Sequence, residues 1–318
     1  MKVTLGDIAK IVGISKNSVS RALNDSNEIS EATKVKVKKV AKDLGYVRNR
    51  AAKTLRSGKS NLVGIVFDDM LNPYFSTMSK LLRNKLLNKN YDSLIFTTDS
   101  TELDLKLFNI IISKNVDAII SFIKPSLESM KLSKKYQVPI ICLGRKTSSG
   151  IADTFITNDV LGGKLAFNYL YNKNCKKIGY MGPVSKVETS IRRLNGFKVA
   201  AKEKNLEIKE EDIFIVALGK KIPEHYFESI MKNYDGIFCY NDLIAYDLLL
   251  NTNNKINIVG FDNIQEGMFT GLTLTTISSD KDKITTDVVT RVIERINNFD
   301  LELKLKEYEV NLVERIER

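Results

Sequence analysis

From Asn61 onward, short runs of β-branched and apolar residues alternate with longer helical stretches. This rhythm restricts the region to parallel sheets covered by helices on both faces. The runs fall at 62–67, 93–96, 117–121, 139–143, 177–181, 236–239 and 256–260. About ten such units exceed one small sheet, so two doubly wound lobes are expected, with ligand sites beyond the carboxyl ends of the strands. Those ends can face a single cleft. The polar residues that follow strands then become the candidates: Asp68, Asp69 and the segment Asn72-Pro73-Tyr74-Phe75; Gly144-Arg145; Arg193, in Arg193-x-x-Gly196-Phe197; Asn241-Asp242; and Asp262.

The first sixty residues have a different character. Lys and Arg outnumber Asp and Glu there by 14 to 5, against 35 to 33 in the remaining 258, so most of the net charge of +11 sits at one end of the 318-residue chain. Thr4 with Asp7 three residues later has the form of a helix start, opening the apolar set Leu5, Ile8, Ala9 and Val12. A first helix to about Ile11 is expected, then a turn at Gly13, then a second helix capped by Ser15 whose Val19, Ala22 and Leu23 point back at the first. Lys16, Asn17, Ser18, Ser20 and Arg21 are expected to face outward. Ser30 caps a third helix in which Val37, Val40, Ala41 and Leu44 keep helical spacing, and Gly45 ends it. Lys34, Lys36, Lys38 and Lys39 read as its solvated face.

A helix-turn-helix presents the first turn of its second helix to base edges in the major groove, where Asn suits adenine and Lys or Arg suits guanine. Lys16 and Asn17 are therefore the base-reading candidates. Ser18, Ser20 and Arg21 can serve bases or phosphates.

At 43% hydrophobic and 27% charged, the composition is that of a protein with a substantial core. Three widely spaced cysteines without a C-x-x-C pair argue against a zinc site or disulfide framework. There is no apolar leader at the N-terminus and no run of membrane-spanning length, so a cytoplasmic location is expected. Ser57-Gly58-Lys59-Ser60 imitates the end of a phosphate-binding loop, but position 53 is Lys where that motif requires Gly. His225, the only histidine, has no nucleophile constellation attached, and neither enzymatic activity nor a cofactor is expected.

The helix-turn-helix, ending Val19-Ser20-Arg21-x-Leu23-Asn24 and followed by Gly45-Tyr46-x-x-Asn49-x-x-Ala52-x-x-Leu55, resembles the lactose repressor (LacI) family of bacterial transcription regulators. The resemblance extends along nearly the whole chain. It implies a small all-α DNA-binding domain at 1–46, a hinge helix and linker at 47–60, and an α/β effector-binding and dimerisation domain at 61–318. The last is a two-lobed domain similar to periplasmic binding proteins. Thr4, Ser15, Asn24, Tyr46, Asn49 and Ala52 join the DNA-contacting set, and Leu55 takes the place of the leucine that wedges into the minor groove and bends the duplex. One departure is visible: Arg48 stands where the family usually has proline, which would preset the start of the hinge helix.

For the large domain, the resemblance implies that Arg193, Asn241 and Asp262 bond an effector's polar groups while Tyr74 or Phe75 stacks on its apolar face. Duller roles stay open: Asp262, Asn241 and Asp242 as helix caps, Arg145 as a bridge between lobes or subunits, Tyr74 and Phe75 as core. Expected partners are a near-palindromic duplex operator, a second copy of the chain and a small effector, either a sugar or a sugar phosphate, with Lys186 as a further cation for the latter. Alternatives are a purine or nucleoside effector, control by a phosphocarrier protein as in catabolite-control members, and, remotely, a sugar-binding enzyme fused to a DNA module.

Overall fold

A computed structural model of the chain describes residues 3–47, 58–147, 151–183, 187–252, 255–264 and 272–315. Arg48, Asn49, Ala52, Leu55 and Lys186 lie outside the described residues. The chain forms two compact units, Met1–Ser60 and Asn61–Arg318.

In the first unit, α1 (Leu5–Val12), α2 (Lys16–Leu23) and α3 (Glu31–Asp43) pack around Ile8, Val12, Val19, Ala22, Leu23 and Val37. Fully burying such side chains stabilises the bundle by roughly 1.5–3 kcal/mol for each larger one. The Asp7 carboxylate accepts hydrogen bonds from the Thr4 amide and hydroxyl at 2.9 and 2.8 Å, fixing the start of α1. Gly13 ends that helix at φ +80°, a left-handed conformation that Gly adopts without a Cβ penalty. At the end of α3, Gly45 takes φ +63° while the Tyr46 amide reaches back to the Ala41 carbonyl at 2.8 Å, the double-bonded stop expected of such a glycine. Lys34 departs from the solvated-face reading: it is buried, its ammonium 2.6 Å from Glu31.

The second unit contains two six-stranded sheets. The first lobe has β1 (Leu62–Phe67), β2 (Asp92–Thr97), β4 (Ala118–Ser121), β6 (Ile140–Leu143), β7 (Asp153–Thr157) and β13 (Leu305–Tyr308), in the order β13-β7-β6-β4-β1-β2 and all parallel. β3 (Glu102–Leu103) and β5 (Lys124–Pro125) form a small separate ladder. Because successive strand residues point to opposite faces, Ile65 joins Met78 and Leu82 of α4 (Pro73–Leu87) and Val288 of α11 (Lys281–Asn297), whereas Val66 joins Phe108 and Ile111 of α5 (Leu105–Ile112). α6 (Leu127–Tyr136) covers the same side as α5.

The second lobe has β8 (Ile178–Gly182), β9 (Ile213–Ile215), β10 (Gly236–Cys239), β11 (Asn257–Phe261), β12 (Thr275–Ser279) and β14 (Val310–Val313), in the order β14-β12-β11-β10-β8-β9. Only β14 is antiparallel, so the final apolar segment closes a sheet edge. Its helices are α7 (Asp159–Asn172), α8 (Glu188–Glu203), α9 (Glu224–Asn233) and α10 (Asp242–Thr252). The chain passes between the lobes from β7 into α7, from β12 into α11 and from β13 through Glu309 into β14. The Asn158 amide donates to the Tyr308 carbonyl at 2.8 Å and ties the first and last of these crossings together. None of the described helices is long and apolar enough to cross a membrane.

Candidate functional site

On the first unit, the exposed first turn of α2 carries Lys16 and Asn17. The Ser15 hydroxyl accepts the Ser18 amide at 3.0 Å and pairs with the Ser18 hydroxyl at 2.9 Å, so both serines hold the helix start. Arg21 is exposed and ion-paired with Glu28 at 2.5 Å; Asn24 is exposed at the helix end. Thr4 is engaged with Asp7, whose carboxyl is held below its ordinary range by those hydrogen bonds. Tyr46 is half-buried on the bundle. Ser20 contradicts its expected outward position: it is only 8% exposed, because both α1 and α3 pack on α2 and widen its covered arc.

In the second unit, the carboxyl ends of strands from both lobes surround a cleft of about 350 Å³. Tyr74, Phe75, Arg145, Arg193, Asn241 and Asp262 all line it. How Arg193 arrives there depends on three glycines. α7 and α8 cross so closely that a Cβ on Gly163 would lie 1.9 Å from the Arg193 carbonyl oxygen, and one on Gly196 would lie 1.9 Å from that of Val160. Gly162 faces the Phe261 ring, 2.5 Å from where a Cβ would stand.

That approach lets Arg193 Nε donate to Asp159 Oδ1 at 2.9 Å while Arg192 holds the other carboxylate oxygen at 2.6 Å. Arg193 Nη1 donates to the Tyr240 carbonyl at 2.6 Å, and Nη2 stands 3.8 Å from Asp262. The guanidinium also lies over the Phe261 ring, 3.4 Å from its centroid. Its neighbouring carboxylates more than offset burial and keep it firmly protonated.

Asp262 occupies φ +106°, a strained conformation for a residue with a Cβ. Asp242 helps hold the following turn: its carboxylate accepts the Ile264 amide at 2.9 Å and the Thr276 hydroxyl at 2.6 Å. Gly260 makes room for this, since a Cβ there would fall 2.1 Å from Asp242 Oδ1. Burial pushes Asp242 up to about 7 and Asp262 up to about 6, with Arg193 partly offsetting the latter. Asn241 Oδ1 accepts the Ile244 amide at 3.1 Å, so this side chain caps α10 through its oxygen while it lines the cleft.

The facing wall is aromatic. Phe67 and Phe75 stack at 5.2 Å with their planes 4° apart, and Phe122 meets Phe75 edge-on at 5.3 Å. Tyr74 packs against the cores of both lobes, and burial together with nearby Asp262 raises its phenol well above the ordinary value. Arg145 Nε donates to the Phe122 carbonyl at 3.3 Å and Nη2 stands 3.6 Å from Asp68, whose carboxyl is raised by burial. Such a cleft can hold a ring between aromatic faces on one side and fixed charges on the other.

Asp159, Phe122, Tyr240 and Phe261 escaped the sequence reading. Asp159 carries a usable signal, an Asn-Asp pair before Gly162-Gly163, but its strand, β7, was not among the expected runs. Phe122 directly follows β4, but an apolar residue there carries no sequence signal that separates a cleft wall from core.

Residues 4–49 match the model of bacterial regulatory proteins of the lacI family, and residues 60–309 match that of periplasmic binding proteins and the sugar binding domain of the LacI family. The chain belongs to the LacI family. It is similar to the HTH-type transcriptional repressor PurR of Vibrio atlanticus (strain LGP32), 24% identical with 98% of this chain and 97% of that one covered. A periplasmic binding protein/LacI transcriptional regulator from Alkaliphilus metalliredigens QYMF, complexed with D-xylulofuranose, is 25% identical; 80% of this chain and 98% of that one align with a TM-score of 0.70. The lac repressor dimer bound to operator and the anti-inducer ONPF shares the fold, with a TM-score of 0.81, 19% identity, and 99% and 98% of the two chains covered.

Proposed function

We propose that this LacI-family chain is a repressor of carbohydrate-use genes that binds a near-palindromic operator as a homodimer in the cytoplasm, under control of a small polyhydroxylated effector in the cleft. The observation that carries the effector reading is the pairing of a buried Arg193–Asp262 charge wall with the aromatic wall around Phe75. A sugar ring offers both a face to stack and vicinal hydroxyls for a planar fork and a carboxylate. The described lining holds Asp68, Asp69, Asp99 and Asp262 against Arg145 and Arg193, a balance that favours a neutral sugar over a sugar phosphate. A nucleobase is the second reading, supported by the PurR relative and by the abundance of aromatic rings.

Lys16 and Asn17 read bases, while Thr4, Ser15, Ser18, Arg21, Asn24 and Tyr46 position the unit on the backbone. Buried Ser20 supports α2 from behind. In this reading 1–46 binds DNA, 47–60 is the hinge with Asn49, Ala52 and Leu55 in the minor groove, and 61–318 senses and dimerises. A dimer supplies the discrimination that a single small helical unit lacks.

A thermal-shift screen of neutral sugars, sugar phosphates and nucleobases tests the cleft, because a ligand bound to the native state raises the melting temperature. A sugar hit whose shift vanishes in Arg193→Ala and Asp262→Asn supports the reading; a hit that both variants retain removes it. Selection of duplexes from a randomised pool by the full chain should return a two-fold sequence, with Asn17→Ala changing the preferred bases. Turnover of a sugar by the purified protein would instead favour the enzyme alternative.

A further inference from the structure

At the opposite ends of the strands that reach the cleft, the first lobe carries a second groove, of about 450 Å³. One side is the face of α6 bearing Leu127 and Met130; the other is the segment after α11, with Phe299 and Leu303. Leu127 is 63% exposed and Leu303 39%, which leaves an open apolar surface along the groove.

Its charges all have one sign. Lys131 and Lys134 lie one turn apart on α6, Arg295 stands at the base, and no carboxylate is among the described residues that line the groove. Arg295 is 6% exposed; its Nη1 donates to the Leu301 carbonyl and its guanidinium lies over the Phe299 ring, but among the described residues it shares its one ion-paired carboxylate with Arg291. Its nearest carboxylate, the fully buried Asp153, accepts at Oδ1 from Arg291 Nε at 2.6 Å and from the Lys304 amide at 2.9 Å. Arg295 Nε is 3.3 Å from Asp153 Oδ2 without the geometry of a hydrogen bond, and neither atom has a hydrogen-bond partner among the described residues. Burial without a full counter-charge pulls Arg295 below its ordinary range, which agrees with a cation short of an anion.

We propose that this groove is a second ligand site, distinct from the cleft, for a small organic carboxylate with an apolar body, such as a medium-chain fatty acid. The carboxylate lies toward Arg295 and the two lysines, and the alkyl body covers Leu127, Met130, Phe299 and Leu303. Its volume falls within the range of roughly 300–1,000 Å³ usual for small-molecule sites.

The test is calorimetric titration of the full chain with decanoate, 1-decanol and decyltrimethylammonium, each below its micellar concentration. Decanoate is expected to bind saturably at one per chain and more tightly than either control. Arg295 is too embedded to replace cleanly, so the charge test uses the exposed pair: Lys131→Glu/Lys134→Glu should weaken decanoate on the order of tenfold or more. Leu303→Asp should weaken it as well, and Asp262→Asn in the cleft should leave it unchanged. Equal affinity for the three probes, full retention in the lysine double variant, absence of saturable binding, or loss in Asp262→Asn would each overturn the proposal.

Discussion

The two walls of the cleft are made of different materials. On the second lobe, buried Arg193 is bonded to Asp159 and stands beside Asp262, while buried Asp242 holds the turn that carries Asp262; Arg193 and Asp159 rest on helices locked together through glycines. On the first lobe, stacked rings dominate, and Arg145, the one arginine it contributes among the described lining residues, makes long contacts of 3.3 and 3.6 Å. The contrast assigns direction to one wall and coverage to the other: buried, crosswise-bonded charges fix where a ligand's polar groups must point, whereas aromatic faces accept any ring of suitable size.

If this division is correct, the largest effect comes from breaking the charged wall. Arg193→Ala leaves Asp262 buried without its guanidinium and Asp159 with only Arg192; removing one partner of a buried pair costs about 3–5 kcal/mol. Urea unfolding should show that loss, and effector binding should disappear. Unchanged stability would mean that the wall is not the rigid half.

Next come the glycines beneath it. Gly196→Ala places a methyl on the Val160 carbonyl, and the helices must separate; about 2–4 kcal/mol is expected. In the first lobe, Gly64→Ala meets only the Ile111 side chain at 3.2 Å and Phe96 at 3.5 Å, so its cost should stay near or below about 1 kcal/mol. Equal costs at the two sites, measured by the same unfolding curves, would erase the difference in rigidity.

The aromatic wall should respond more gently. Phe75→Ala removes one stacked face while Phe67 and Phe122 remain, so ligand affinity should fall by roughly tenfold, about 1–1.5 kcal/mol. Titration with the ligand found by screening reads this directly. A loss as large as that in Arg193→Ala would place directional recognition on the first lobe too.

What could be read from the sequence follows the same divide between local and remote causes. The caps at Thr4, Ser15 and Ser30 and the stop at Gly45 depend on residues within four positions, and the structure has them. The strands buried on both faces were visible as apolar runs. β7, β12, β13 and β14 were not: Asp153–Thr157 and Thr275–Ser279 mix polar residues into strands that their neighbours bury, and the last two obtain their place from the crossing at Glu309. The order of strands and loops points to Arg193 and family resemblance implies its role, but its partner Asp159 lies 34 positions away and meets it only because Gly163 and Gly196 let two helices touch. Ser20 was misassigned because a helix eight residues long, packed from two sides, has too narrow an exposed arc for simple periodicity to define.

The last expected effect is that of pH, and it follows from Asp262 and Asp242. Both carboxyls have folded-state values raised above the ordinary 3.8, to about 6 and about 7. The folded state therefore holds more protons than the unfolded one between those values, and stability must fall as pH rises through that window. Asp68, on the opposite wall, is raised too and adds in the same sense. Asp7, Asp212, Asp287 and Glu314 are lowered, so the stability they contribute is lost only on acidification below the ordinary carboxylate range. Unfolding free energy should therefore decline by roughly 3–4 kcal/mol from about pH 5 to pH 7. Effector affinity should move the other way, because hydroxyls donate best to an ionised Asp262, which is half ionised at about pH 6 and nearly fully so only above about pH 7. In Asp262→Asn, both slopes should flatten. A stability profile that rises through this range, or one that Asp262→Asn leaves unaltered, would show that the charged wall is more open to water than its packing indicates.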